Sequence, residues 1–304
     1  MSAALSSKSK INWRPVDGII ILDKPIGMSS NAALQKVRRI VEAEKGGHTG
    51  ALDPLATGVL PICLGEATKV SQYLLDADKT YEVKAKLGAR TNTGDSEGEV
   101  IATGSLENMS EQQVFSGLHS FLGSSEQVPS MFSALKHQGK PLYELARQGI
   151  EIERKAREIT VFSLSNVALE NDILCFTVKV SKGTYIRNLV DDLGEKLGVG
   201  AHVTYLRRTQ AGPFSTMVSL EKLELARETG TLNSLILPLQ AALRGFAEVE
   251  LDESLAQRFQ FGQRFKVPQL PGMVTVVTAD KRMLGIAEVL ADGLLVAHRL
   301  MKTN

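Results

Sequence analysis

Between Gly46 and Lys69 the chain reads GGHTGALDPLATGVLPICLGEATK, a glycine-rich bend that runs straight into an apolar segment. Gly46, Gly47 and Gly50 let the backbone turn sharply or approach a ligand closely. Pro54 pushes Asp53 out of the helical region, toward an extended or turn conformation. Val59, Leu60, Ile62, Cys63 and Leu64 then form a run that belongs in a core. Any fold of this chain must therefore clamp the bend to its core at one end. At the other end the bend presents one carboxylate, Asp53, and one imidazole, His48. An aspartate in a bend also caps its own backbone, so the loop alone leaves both uses of Asp53 open.

Periodicity and punctuation organise the rest. Gly18 to Leu22 reads as a short buried strand, and Ser30 caps a helix whose face is Leu34, Val37, Ile40 and Val41. Tyr81 to Leu87 alternates as a strand does. Ser110 with Gln113 forms a capping box ahead of a helix carrying Val114, Leu118 and Phe121. Ile159 to Leu169 and Ile173 to Val180 read as strands joined around Glu170-Asn171-Asp172. Ile186, Leu189, Val190, Leu193 and Leu197 fall at helical spacing. Strands interrupted by unrelated helices predict an α+β fold with a mixed, largely antiparallel sheet. There is no internal repeat and no low-complexity segment. A boundary is expected near Arg244 to Glu248, dividing residues 1–245 from 246–304. The second part carries a short helix around Glu253 to Phe261, then β-rich segments with turn signals at Pro271-Gly272 and Asp292-Gly293, and reads as a small barrel-like module.

The 304 residues, 43% hydrophobic and 23% charged, suffice for a sizeable core. Cys63 and Cys175 both lie in apolar runs and read as buried reduced thiols, which suits a cytoplasmic protein. No Cys/His cluster has zinc spacing. The first 16 residues carry Lys8, Lys10 and Arg14 but no apolar signal-peptide core, and no later run reaches membrane-spanning length, so neither export nor membrane insertion is expected. Net charge is only +1, but its distribution matters more than its total. Lys136, Lys140, Arg147, Arg154, Lys155 and Arg157 cluster in one region, and Arg207 with Arg208 closes another. Glu144, Glu151, Glu153 and Glu158 also allow an ordinary salt-bridged surface.

Further blocks accompany the Asp53 loop: GIIILDKPIGMSS (18–30), Lys79-Thr80-Tyr81-Glu82, PSMFSALKHQGKPLYELARQG (129–149), SKGTYIRNLVDDLG (181–194) and GAHVTYLRRTQAGPF (200–214). In this order the chain resembles the TruB family of tRNA pseudouridine synthases, over about its first 215 residues. The resemblance implies isomerisation of the T-loop uridine at tRNA position 55. The N1–C1′ bond breaks, the uracil turns, C5 joins C1′ and the C5 proton leaves. Nothing enters or departs overall, so no cofactor or metal is expected.

By the same resemblance Asp53 is the catalytic carboxylate, either attacking C1′ or removing the 2′ proton. Arg187 pairs with it, as a fork able to hold both carboxylate oxygens. Tyr81 stacks on the base, with its phenol where the C5 proton is collected. Leu206 lines the other side of the base, and Tyr185 belongs to the same substrate-binding block as Arg187. His48 fills the space left by the flipped nucleotide. Lys24 and Pro25 support the loop and count with the substrate-binding set. Lys136, within an insertion near 124–152, grips the T arm through phosphate contacts. Phe132 stands where many relatives have tyrosine, so a hydroxyl hydrogen bond from that position is lost. The terminal module corresponds to a PUA domain, which either binds RNA or only packs. The implied partner is tRNA, bound by a monomer without a protein partner. An RNA-folding chaperone and a guide-RNA-dependent catalytic subunit are the alternative readings.

Overall fold

The computed structural model describes residues 11–302; residues 1–10, with Lys8 and Lys10 of the N-terminal basic segment, and 303–304 lie outside the described part. Strand β1 (Gly18–Lys24) leads into helix α1 (Ser30–Val41), the short β2 (Gly46–His48) and the buried β3 (Thr57–Leu64). Helix α2 (Ser71–Leu75) then precedes β4 (Lys79–Leu87), the ribbon of β5 (Ala89–Thr91) and β6 (Val100–Thr103), helix α3 (Glu111–His119) and β7 (Gly123–Gln127). A second ribbon, β8 (Lys136–His137) with β9 (Lys140–Pro141), ends in α4 (Leu142–Arg147). Strands β10 (Arg157–Glu170) and β11 (Ile173–Val180), helix α5 (Ile186–Leu197), β12 (Ala201–Ala211) and α6 (Leu220–Glu228) follow.

The main sheet has the order β1-β3-β12-β4-β11-β10-β7, with β2 also on β3. Its neighbours are antiparallel except for the parallel pair β12 and β3. This is the mixed, largely antiparallel sheet the sequence predicts. Strand β4 shows why it forms: Tyr81, Val83, Ala85 and Leu87 turn into the core while Glu82, Lys84 and Lys86 face solvent, the two-residue period of a half-buried strand. Helices α1 and α5 lay Leu34, Val37, Ile40, Leu189, Val190 and Leu193 on the inner face. The expected Ser110–Gln113 capping box is present at α3. The cap of α1 is not where the sequence suggested. Ser29 caps it, its Oγ accepting from the Ala32 N–H, and Ser30 is buried with a different task described below.

Past the linker, β13 (Ala247–Leu251), α7 (Glu253–Gln260), β14 (Phe265–Lys266), β15 (Gly272–Thr278), β16 (Met283–Val289) and β17 (Leu294–Leu300) form a five-stranded sheet of order β13-β15-β16-β17-β14. One of its faces packs on Phe259 of α7. Met283, Ile286 and Met301 instead join Ile19, Ile21, Val59 and Cys63 on the outer face of the main sheet. Lys69 Nζ donates to the Leu300 carbonyl at 2.8 Å, and the Lys302 N–H donates to Glu66 at 2.7 Å. Both cysteines are free. Cys63 is fully buried, and burial pushes its thiol up to about 12. Cys175 is only half-buried, because β11 places it on the solvent side opposite Lys84. Among the described residues no helix is long and apolar enough to cross a membrane.

Candidate active site

Asp53 sits in the bend between β2 and β3, and the bend is held from both ends. Gly50 takes φ +74°, a conformation open to glycine at little cost. The Thr49 N–H donates to the Pro61 carbonyl at 3.1 Å, and the Ala56 N–H to that of Asp53 at 3.0 Å. Ser30 reaches across from α1: its Oγ donates to the Leu52 carbonyl at 3.0 Å and accepts from the Leu52 N–H at 2.7 Å. Behind the bend lies Lys24, fully buried. Its Nζ donates to the carbonyls of Pro25 at 2.9 Å, Met28 at 2.6 Å and Pro54 at 3.4 Å. Burial lowers the Lys24 pKa to about 8, because desolvation disfavours the ammonium.

Arg187 stands in the first turn of α5 and is nearly buried, and its Nε donates to Asp53 Oδ2 at 2.8 Å. The sequence suggests a fork gripping both Asp53 oxygens; the structure divides the fork instead. Nη1 donates to the Thr93 carbonyl and Nη2 to that of Phe132, each at 2.8 Å. Nη1 is also 3.6 Å from Oδ2 of the buried Asp95. Asp95 is oriented in turn by the Thr93 hydroxyl at 2.7 Å and the Glu97 N–H at 3.1 Å, both donating to Oδ1. Arg187 thereby ties the Asp53 bend to the turn around residue 93 and to the segment around Phe132. The Asp53 side chain is 39% exposed. Desolvation pushes its carboxyl above its ordinary pKa, Arg187 opposes the rise and the Asp95 charge adds to it.

The open side of Asp53 faces a cavity of about 360 Å³. Asp53, Tyr81, Tyr185, Arg187 and Leu206 line it together, joined by Ser133 and Leu135 from the segment before β8. Tyr81 is 8% exposed on β4. The Tyr185 backbone is pinned by Gln127, which accepts from its N–H at 2.8 Å and donates to its carbonyl at 3.1 Å. Burial raises the Tyr185 phenol. Four residues assigned to substrate binding do not line this cavity: Lys24, Pro25, His48 and Lys136. Lys24 spends its ammonium on backbone carbonyls, and Pro25 supplies one of them. His48 is half-buried in β2, its Nδ1 has no hydrogen-bond partner, and burial lowers its pKa. Lys136 is exposed on its ribbon, one residue beyond the lining Leu135. That ribbon turns through Gln138 and Gly139 at φ 49° and 83°, as a tight hairpin requires. It stands on a small core of Met131, Leu142 and Leu145.

Three residues at the site were given no role in it from sequence. Asp95 lies in a polar turn that reads like any other. Lys79 is buried with its pKa lowered to about 8, and it donates to the Leu75 carbonyl at 2.7 Å, closing the end of α2. Arg208 is 1% exposed and donates to the carbonyls of Val59 at 2.7 Å and Gly50 at 3.0 Å. Arg207 and Arg208, grouped from sequence as one basic cluster, do not act together. They alternate on β12, so Arg207 pairs outside with Asp23 at 2.8 Å while Arg208 enters the core. The two-residue strand period was the signal available. Among the described residues no group of three or more His, Cys, Asp or Glu is placed to hold a metal ion.

Comparison with known proteins bears on the same residues. Residues 38–186 match the N-terminal domain of the TruB family pseudouridylate synthases, residues 187–244 the tRNA pseudouridylate synthase B C-terminal domain, and residues 247–301 the C-terminal domain of pseudouridine synthase II TruB. The chain is 52% identical over 302 residues to the tRNA pseudouridine synthase B of Shewanella sp. (strain ANA-3), covering 95% of each chain. It is 52% identical over 288 residues to that of Haemophilus influenzae, covering 92% of each. Among solved structures it superposes on a chain of a Cbf5-Nop10-Gar1 complex with TM-score 0.70 and 25% identity, over 94% of this chain and 84% of the other. With these family matches along most of its length and 52% identity to full-length relatives, the chain belongs to the TruB family of pseudouridylate synthases.

Proposed function

We propose that this protein isomerises a uridine of tRNA to pseudouridine, and that its target is the T-loop uridine at position 55. The observation that carries the reading is the 2.8 Å contact between Arg187 Nε and Asp53 Oδ2 at the wall of a 360 Å³ cavity, a volume in the range that admits a small ligand. Asp53 is the group that reacts at C1′ or takes the 2′ proton. Arg187 keeps it ionised against desolvation and aims its free oxygen into the cavity. Tyr81 and Leu206 bracket the base, and Tyr185 closes the cavity beside Arg187. Because Asp53 and Tyr81 are reached only from within the cavity they line, a stacked uridine has to leave its helix to meet them, at a cost of a few kcal/mol. His48, at the edge of the bend, is the residue proposed to fill the gap. Lys136 and its ribbon grip the T arm, and Lys24 with Pro25 support the loop from behind.

The protein is proposed to act as a monomer on tRNA alone, without cofactor, in the cytoplasm, with residues 246–304 as a PUA-like domain. The ribbon, with its own small core beside the cavity, favours direct recognition over delivery by a guide RNA. The test is incubation of the purified protein in chelator with unmodified tRNA, followed by chemical mapping of pseudouridine beside Asp53→Asn. Product at position 55 from the wild type alone is expected. Undiminished product from the variant removes Asp53 from the mechanism; product only after guide RNA and partners are added points to the guided reading. Tight binding with no product from either protein points to a chaperone.

A further inference from the structure

A second hollow, of about 440 Å³, lies beside the turn that walls the active-site cavity. Leu75 and Lys79 face the catalytic side of that turn, whereas Asp76, Ala77 and Asp78 between them face the second hollow. The strand period carries the division onward. Thr80, opposite Lys179 on β11 and Gln210 on β12, lies on the outer face of the sheet, whereas Tyr81 and Arg208 lie on the inner one. The far wall is the linker to the C-terminal sheet, with Arg244 and Phe246. Phe246 meets Tyr73 edge to face at 5.1 Å, and Arg299 of β17 stands near the Tyr73 phenol. Arg244 is exposed, and its guanidinium has no hydrogen-bond or ion-pair partner among the described residues.

Tyr73 and Phe246 are half-buried against the core and form a firm floor, and cations standing beside such a groove are the composition that binds a phosphate backbone. The two aspartates count against an anion, but each already faces a lysine. Asp76 Oδ1 lies 2.7 Å from Lys182 Nζ and Asp78 Oδ2 lies 3.7 Å from Lys179 Nζ, with all four side chains between 43% and 61% exposed. Ion pairs this exposed are weak and readily exchanged. Lys182 also sits in the turn whose neighbours Ser181 and Gly183 line the active-site cavity, so one continuous rim joins the two hollows.

We infer that the outer-face groove is a second RNA contact, taking the sugar-phosphate backbone of the same substrate outside the T arm through Arg244 and Lys179. The inference rests on the tRNA reading proposed above. Phosphates displace Asp78 from Lys179, so this carboxylate restrains binding in the free protein, and its removal acts opposite in sign to the removal of Arg244. The groove lies across the sheet from the cavity and against the linker, so the contact is assigned to RNA outside the T arm.

The experiment compares full-length unmodified tRNA with an isolated T-arm stem-loop, measuring Kd by filter binding at several salt concentrations and initial rates in parallel. Arg244→Ala is expected to weaken full-length tRNA about fivefold and leave the stem-loop unchanged. Asp78→Asn is expected to tighten full-length tRNA, because Lys179 no longer has to leave an ion pair to meet a phosphate, whereas Arg244→Ala is expected to reduce the salt dependence by about one power of salt concentration, the mark of one lost phosphate contact. The same loss for both RNAs, no effect of Arg244→Ala, or weakening by Asp78→Asn would overturn the inference, since a purely structural role loosens binding in both variants. Failure of the wild type to form product from either RNA would count against the proposed reaction, while the binding data would still decide the groove.

Discussion

Arg187 opens helix α5, where unpaired backbone N–H groups make a cation unwelcome. Asp53 and Asp95 on its two sides offset that cost, and the carbonyls of Thr93 and Phe132 hold the guanidinium in plane. Arg187→Lys keeps one charge but cannot reach four acceptors from one point. The expected result is a fall in kcat on the order of 100-fold, the scale of a misplaced reacting group, with fold retention checked by circular dichroism. Asp53 itself is held at a cost. Its folded pKa lies above the unfolded value of 3.8, so the native state binds the proton more tightly than the unfolded chain. Stability is therefore lost as pH rises from 3.8 through the folded pKa, and the loss persists above it. Asp53→Asn escapes this while still accepting from Arg187 Nε. The variant is expected to be inactive yet to melt higher than wild type at neutral pH, with the difference closing as pH falls through that window; a constant difference across pH would refute the argument. The pair was legible in the sequence because each member sits in a recognisable block. Asp95 was not, because its importance arises only when folding brings a polar turn beside Arg187.

Two serines separate what an element contributes to stability from what it contributes to the site. Ser110 and Gln113 close a capping box that was readable from four residues, since capping is a local contest between side chain and backbone. Ser30 was misread as a cap for the complementary reason. Ser29 and Ser30 are both acceptable caps locally, and only the approach of Leu52, folded against α1, assigns one to the helix and the other to the loop. Ser110→Ala should cost about 1 kcal/mol of stability and leave kcat unchanged. Ser30→Ala strands the buried N–H and carbonyl of Leu52, at about 1–3 kcal/mol, and frees the bend that carries Asp53. It should lower kcat at least tenfold with little change in KM, a split read by steady-state kinetics on the two variants side by side. Equal kcat in both would mean that the bend is held adequately without Ser30. The same contrast explains the arginines of β12: alternation was legible in the strand, but which of the two residues faces inward depends on the register with β4.

At the scale of the molecule, the two sheets are joined through an apolar contact rather than a tether alone. Strand β16 turns Leu284 and Ala287 toward the core of its own sheet, while Met283 and Ile286 meet Ile19, Ile21 and Val59 of the main one. The sequence predicts a boundary near Arg244 to Glu248 but offers no sign of this contact, because an outer face coated with Ile19, Ile21 and Val59 reads as ordinary buried strand whichever partner covers it. A shared core couples the stabilities of the parts it joins. The wild type should therefore unfold by calorimetry in a single transition. Ile286→Asp places a charge where the exposed fraction is zero, and an unpaired buried carboxylate is costly enough to open the contact in preference to staying within it. That variant should show two separate transitions. Rates on a T-arm stem-loop should then be largely kept, since the cavity is lined by the main sheet and the segments packed on it. Rates on full-length tRNA should fall, because the outer-face groove has Arg244 and Phe246 for one wall and loses its fixed geometry when the contact opens. A single transition in Ile286→Asp, or equal losses on both RNAs, would show that the catalytic sheet depends on its neighbour for more than the groove between them.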